Sequence, residues 1–235
     1  MKLRLPLIVL VICCLAQFSF AQEDEKVLLD NEWVRVTYAK DRPGHKRASH
    51  SHVDTLVYAL SNQHRRIANS GEQPRDIGMR ANEAVWMADV THSEENIGTT
   101  DGERLIVEVK QKVGAWKPAS AVDDPAKWPD KLDAVRAAPG NHRIVLENER
   151  VRVLDVTVRS GENEPLHMHR KPSLLYVISE EDIQDFDAAG KLLYDTRTQP
   201  APPKTPYAEW MPPQPPHRVL NRSKTALRLI RVELK

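Results

Sequence analysis

One segment of this 235-residue chain, NEWVRVTYAKDRPGHKRASHSH from Asn31 to His52, returns 117 residues later as NERVRVLDVTVRSGENEPLHMH, Asn148 to His169. Asn31, Glu32, Val34, Arg35, Val36, Gly44, His50 and His52 meet Asn148, Glu149, Val151, Arg152, Val153, Gly161, His167 and His169 at that one offset. A period of about a hundred residues is too long for a solenoid unit and suits two copies of one domain. The duplicated feature that carries chemistry is a paired histidine.

Each copy closes with a third matching histidine. The first ends VWMADVTHSEENIGTTDGERLIVEVK and the second EWMPPQPPHRVLNRSKTALRLIRVELK, so that His92 and Asn96 answer to His217 and Asn221. Six of the nine histidines thus form two triads, His50, His52, His92 and His167, His169, His217. In an extended strand residues two apart project from one face. His-x-His therefore aims two imidazoles into one space, and a third from an adjacent strand completes a facial set able to hold a divalent transition metal.

The pattern Gly44-x5-His50-x-His52 with His92-x3-Asn96, repeated as Gly161-x5-His167-x-His169 with His217-x3-Asn221, resembles the two signature motifs of the cupin superfamily. The resemblance covers nearly all of the chain after its first residues and implies an all-β bicupin of two tandem antiparallel barrels, or jelly rolls, each with a pocket at one mouth. HSHVDTLVYAL is also similar to bacterial cupins of the group that includes the beta-alanine degradation protein, which suggests small-molecule metabolism. Cupin motif one usually adds a glutamate four or five residues after its second histidine. Leu56 and Val57 stand there in the first copy, Ser173 and Leu174 in the second. Asp89 and Gln214 occupy the place of the usual glycine three residues before the third histidine.

A three-histidine site with open positions is what remains. The resemblance implies iron(II) as the favoured metal, with zinc, nickel, copper or manganese as alternatives. It also implies chemistry of the thiol and diketone dioxygenase type on a small organic molecule. The rival readings are a small-molecule-binding protein without chemistry and a structural double barrel without metal. Asp54 continues the parity of His50 and His52 and, in an unbroken strand, is a candidate catalytic or ligand carboxylate, although a solvated carboxylate at a strand start is the commoner role. Glu94 and Glu95, beside His92, are candidate general bases, although a charged pair near a turn more often lies at the surface. Because Lys171 and Arg170 stand where the first copy has Asp54 and Val53, the first site is expected to bind metal more tightly.

The N-terminus carries Lys2 and Arg4, an apolar run from Leu5 to Leu15 and a Ser19-Phe20-Ala21 site, the pattern of a signal peptide over residues 1–21. The expected product is secreted or periplasmic, begins at Gln22 and keeps no membrane anchor. Both cysteines, Cys13 and Cys14, fall in that segment, which leaves no thiolate ligand or cysteine nucleophile. Losing Lys2 and Arg4 from 34 basic residues, set against 33 acidic ones, leaves the remainder near neutral, with no signal for a nucleic-acid partner. A small-molecule ligand and a homo-oligomer are the partners compatible with this composition.

Alternation and turn signals place strands at Trp33–Ala39, Leu56–Leu60, Arg65–Ala68 and Leu105–Lys110, then at Val151–Val158, Leu174–Ser179 and Leu227–Val232. They bound a first domain at 27–112, a linker at 113–141 and a second domain at 142–235. In the linker, Asp124-Pro125 predicts a short helix toward Val135. Eight prolines between Pro200 and Pro216 predict a stiff loop holding His217, incompatible with a central strand. Trp86 and Trp210 are expected in the barrel cores, and Asn96 and Asn221 in turn or strand hydrogen bonds. His45, His64 and His142 carry no pattern.

Overall fold

A computed structural model describes residues 24–110, 124–198 and 203–235; the leader read at 1–21 lies outside the described residues. The first repeat contributes nine strands: β1 (Asp24–Asp30), β2 (Val34–Asp41), β3 (Lys46–His52), β4 (Thr55–Ala59), β5 (Gln63–Asn69), β6 (Arg75–Met79), β7 (Ala84–Met87), β8 (Val90–Asn96) and β9 (Gly102–Val109). The second contributes nine more: β10 (His142–Glu147), β11 (Val151–Val158), β12 (His167–His169), β13 (Ser173–Ser179), β14 (Ile183–Asp187), β15 (Leu192–Asp195), β16 (Tyr207–Met211), β17 (Gln214–Asn221) and β18 (Leu227–Leu234).

Both repeats build the same pair of antiparallel sheets. A five-stranded sheet in the order β1-β2-β9-β4-β7 is joined by a four-stranded sheet β3-β8-β5-β6. The second repeat gives β10-β11-β18-β13-β16 and β12-β17-β14-β15.

The two five-stranded sheets share one apolar core. Val34 and Val36 of β2, Leu56 and Tyr58 of β4, and Leu105 and Val107 of β9 meet Val151, Val153, Leu174, Tyr176, Ile230 and Val232 of the second repeat. Alternate residues on these strands, such as Leu175, Val177 and Leu229, line the interior of their own barrel. Strands buried on both faces read as unbroken apolar runs, which accounts for TLVYA in β4 and SLLYVIS in β13. Trp210 belongs to this shared core, stacked on Trp33 with centroids 6.3 Å apart and planes 5° from parallel, and Trp86 packs against it as well. Both tryptophans are core residues, as expected, in the core that the two repeats share rather than beside the second barrel's cavity.

Two further expectations are corrected by local physics. Asp124 caps only a 3-10 turn at Pro125–Lys127. A second 3-10 turn (Asp130–Leu132) and a single helical turn α1 (Ala134–Ala137) follow, because Pro129 interrupts continuous helix. This segment packs on the second barrel: Asp133 bridges to Met168 and its carboxylate accepts from Arg152 at 2.9 and 3.0 Å. Finally, Pro215 and Pro216 do lie in a strand with neighbours on both sides. They occupy the start of β17, before its pairing with β14 begins at His217 and where its register with β12 shifts. No ladder bond is asked of them there.

Candidate metal centres

The repeated glycine and asparagine hold together the strands that carry the histidines. Gly44 and Gly161 both adopt positive φ, +78° and +73°, and each donates its amide to the carbonyl of the repeated asparagine, Asn96 or Asn221, at 2.8 Å. The Asn96 amide donates to the carbonyls of Asp41 and Thr100, and that of Asn221 to Val158 and Thr225. These bonds fix β3 against β8 and β12 against β17. The resulting registers set His50 directly opposite His92 and His167 opposite His217.

In the first repeat the three rings of His50, His52 and His92 have centroids 4.8–5.1 Å apart. Their ligand atoms lie within 4.8 Å of one another. His50 donates from Nδ1 to the Ala48 carbonyl at 2.7 Å, leaving Nε2 with its lone pair, whereas the buried Nδ1 of His52 has no hydrogen-bond partner. Burial pushes His52 down to about 4, helped by the neighbouring His50 and His92, so its ring is neutral.

In the second repeat His167, His169 and His217 also converge, with centroids 4.4 Å (His167–His217), 5.1 Å (His167–His169) and 5.8 Å (His169–His217) apart. A fourth ring joins them. His142 of β10 lies with its ring centroid 4.6 Å from that of His167 and 5.1 Å from that of His169, tilted to both, and the ligand atoms of these three lie within 4.8 Å of one another. Two ring nitrogens are oriented by carbonyls two residues back, His167 Nδ1 to Pro165 and His217 Nδ1 to Pro215, both at 2.9 Å. His169 donates from Nδ1 to the buried Glu233 carboxylate at 2.8 Å. Such anchoring of the far nitrogen fixes the tautomer of a metal-binding imidazole. Burial lowers all four, His167 to about 4 and His217 to about 3, so they present lone pairs rather than protons.

Glu164 completes this cluster. It is 3% exposed, its Oε1 lies 3.3 Å from His142 Nδ1 without hydrogen-bond geometry, and its Oε2 lies 4.0 Å from His167 Nε2. Burial, with Glu162 and Asp185 nearby, pushes its carboxyl up to about 8. A buried carboxylate lacking a donor, beside four neutral imidazoles, fits a bound cation. Neither His142 nor Glu164 belongs to the motif pattern. The constant offset pairs them with Glu25 and Arg47, so the repeat offers no matching residue that would have marked them.

The candidate carboxylates of the first repeat are elsewhere. β3 ends at His52, and Asp54 sits in a turn at φ +44° with its carboxylate 2.6 Å from Arg150 of the second repeat. The parity that was to bring it to the histidines is broken, and it ties the barrels together instead. Glu94 is mostly covered rather than at the surface, its side chain 8% exposed. It accepts from Arg65 at 3.0 Å and Arg104 at 2.5 Å. Burial alone would raise its carboxyl, but Arg104 and Arg65 outweigh that and hold it below the usual range, the wrong direction for a general base. Glu95 is partly exposed, 3.8 Å from Lys46. Asp89, at the glycine position of motif two, adopts φ +42°, the backbone conformation for which glycine is otherwise favoured.

Register-matched positions show how the two interiors diverge. Asp41, Arg65, Glu94 and Arg104 form a buried ionic network with Arg47. Their counterparts in the second repeat are Val158, Ile183, Val219 and Leu229, an apolar cluster closed by Leu227. The first repeat is left with a groove of about 570 Å³ lined largely by charged residues such as Arg35, Arg47, Glu94 and Glu108. The second encloses about 560 Å³, with apolar walls and the four histidines at one end.

No protein-family model and no curated protein matches the chain. Solved structures do match. A structure of oxalate decarboxylase from Bacillus subtilis is 14% identical, covers 89% of this chain and 71% of its own, and gives a TM-score of 0.52. AerE from Microcystis aeruginosa is 14% identical over 91% of this chain and 98% of its own, with a TM-score of 0.52. A cupin domain from Bordetella pertussis is 22% identical over 38% of this chain and 94% of its own, with a TM-score of 0.36. The fold is that of a bicupin, two cupin barrels in one chain.

Proposed function

We propose that this chain is an exported bicupin that holds a divalent transition metal, and that its second barrel is a metal-dependent enzyme site for a small organic molecule. The convergence of His142, His167, His169 and His217 beside Glu164, at one end of an apolar-walled cavity, carries this reading. Glu164 brings the oxygen donor that the second copy of motif one lacks, from a position upstream of the histidines. Imidazoles with one carboxylate suit iron(II) or manganese(II). The oxalate decarboxylase it resembles is described as having Mn(II) centres, which sets manganese beside iron. When bound, such an ion supplies Lewis acidity or, with iron, oxygen chemistry of the dioxygenase type. The chain's own part is to keep the imidazoles neutral and oriented, exclude water with its apolar walls, and offer the unpartnered Nη2 of Arg231 to a ligand oxygen.

For the first barrel the ionic network favours a structural role, with His50, His52 and His92 as a more open site. Metal analysis of protein purified without tag or chelator tests the reading. Iron or manganese that is lost in His167→Ala supports it, and metal-free protein with intact fold overturns it. Oxygen uptake with the iron form separates dioxygenase-type chemistry from other reactions. Export is tested by mass spectrometry: an N-terminus at Gln22 is expected, and retained Met1 in exported protein refutes it.

A further inference from the structure

We infer that the cavity of the second barrel takes an organic cation, an ammonium group carried on an apolar body. This names the ligand class of the site proposed above and rests on that site being the functional one. The cavity walls are apolar, from Val156, Leu175, Val177, Ile183 and Leu227, yet three carboxylates, Glu180, Asp185 and Glu209, open into it alongside the hydroxyls of Tyr194 and Tyr207.

None of the three acids is matched by a cation. Among the described residues they make no ion pair at 4.0 Å or less. Glu180 accepts only from the neutral Tyr207 hydroxyl, at 2.7 Å, and the buried Oδ1 of Asp185 has no hydrogen-bond partner. Among the described residues Arg231 is the one cationic side chain in the cavity; it bonds Ser173 Oγ at 3.0 Å and Gln214 Oε1 at 2.5 Å, lies 3.8 Å from Glu233, and forms no ion pair with the three acids. Glu164, 3% exposed and unbonded at Oε1, adds an independent acceptor facing the same space.

The first barrel shows what compensation looks like in this fold. There the interior acids Asp41 and Glu94 are answered by Arg47, Arg65 and Arg104. The second repeat has replaced Arg65 and Arg104 with Ile183 and Leu229 and kept a different set of acids without cations. Burial pushes Glu180 and Glu209 upward and Asp185 up to about 7, as unpaired interior carboxylates require. A metal ion answers only the histidine end. Ser173 lies between Met211 and Glu233, whose carboxylate bonds His169, so Met211 marks the histidine end of β16; Glu209 and Tyr207 lie two and four residues from it, about 7 and 13 Å at strand rise. A ligand reaching them needs an extended apolar body, and its positive end finds acid and aromatic groups together. A carboxylate ligand would meet three acids instead.

The test uses the whole chain at pH 8 and calorimetric titration with benzyltrimethylammonium, benzyl alcohol and benzoate. The quaternary cation has no lone pair and cannot coordinate metal, so its binding reports on the acid and aromatic end of the cavity and not on a metal. The cation is expected to bind about tenfold or more tightly than the alcohol, with benzoate weakest. Glu180→Gln/Glu209→Gln is expected to erase the preference at unchanged metal content, with fold checked by near-ultraviolet circular dichroism. If the double variant does not fold, Glu209→Gln alone is expected to reduce the preference. Alcohol or benzoate binding as tightly as the cation, or a folded variant that keeps the preference, overturns the inference. Metal-free protein that still prefers the cation would sink the metal reading and leave this one standing.

Discussion

Arg47 and Glu164 occupy the same position of the two repeats with opposite charge. Arg47 of β3 lies opposite Glu94, and the amide of Glu164 donates at 2.8 Å to the carbonyl of Val219, the residue that stands in Glu94's place. Their partners are exchanged too. Arg47 bonds Glu25 of β1, while Glu164 lies 3.3 Å from His142, which takes the place of Glu25 in β10. One swap of this pair turns a rim of ion pairs into a fourth imidazole and an unpaired carboxylate. The two barrels thus share a fold and their motif histidines but not an interior.

The first consequence is a ranking of the sites. The sequence argument for a tighter first site rested on Asp54, which pairs with Arg150, and on Lys171 and Arg170 beside the second triad; Arg170 is answered by Asp130, and Lys171 is exposed. His169 is oriented by Glu233 where His52 has no partner at Nδ1. The second site is therefore expected to bind metal about 10- to 100-fold more tightly, the usual worth of an orienting partner. Titration of His50→Ala and His167→Ala checks this: the tighter event should vanish in His167→Ala, and its loss in His50→Ala would reverse the ranking.

Replacing the ionic network of the first barrel with its counterparts is the second test. Asp41→Val, Arg65→Ile, Glu94→Val and Arg104→Leu together reproduce the apolar set of the second repeat. Removing a whole buried network is often neutral or stabilising by about 1–4 kcal/mol, whereas Asp41→Asn alone leaves Arg47, Arg65 and Arg104 with only Glu94 and Glu25 to answer three charges and is expected to cost about 3–5 kcal/mol. Urea unfolding of both variants measures it. A quadruple variant less stable than Asp41→Asn would show that the second repeat's solution does not transfer.

Acid sensitivity follows from the same residue. Burial would raise the Asp41 carboxyl, but Arg104, Arg47 and Arg65 outweigh it and hold it well below the usual carboxylate range. A depressed folded value contributes stability above the unfolded value of about 3.9 and loses it as pH falls toward the folded one. Stability should therefore drop below about pH 4, and the drop should be smaller in Asp41→Asn. Equal acid slopes for the two proteins in urea midpoints at pH 7, 4 and 3 would assign the loss to other groups.

Much of this was legible in the chain. The repeated Gly, His-x-His and His-x3-Asn residues mark positions where backbone and register are fixed, and the structure uses them so in both copies. What the sequence hid was set by tertiary context. His142 and Glu164 lie outside the motifs and matter only because β10 and the segment before β12 approach the same point. Asp54 was misplaced because parity holds only in an unbroken strand, and a positive φ two residues after His52 ends it. Trp86 and Trp210 were legible as core residues, but not as members of a core shared by both repeats, because both faces of a five-stranded sheet are buried here and alternation no longer distinguishes inside from outside.

The shared core yields the last prediction. Trp33, 9% exposed, stacks on Trp210 across the junction of the repeats, and the apolar faces of both five-stranded sheets meet around them. Truncating a buried tryptophan removes a large contact area and leaves a cavity, so Trp33→Ala is expected to cost about 3–5 kcal/mol. The Asp54–Arg150 pair at the same junction is partly exposed, 32% and 15% at its two side chains. After screening by water, Asp54→Asn should cost no more than about 1 kcal/mol. It should also leave metal content unchanged, since Asp54 is not at the histidines. Because one core serves both repeats, Trp33→Ala should lower the unfolding midpoint of the whole chain in a single step, monitored by far-ultraviolet circular dichroism and by fluorescence of the remaining tryptophans. Two separate transitions in the wild-type chain, with only the first shifted by the substitution, would show instead that the barrels fold independently and that the shared core adds little.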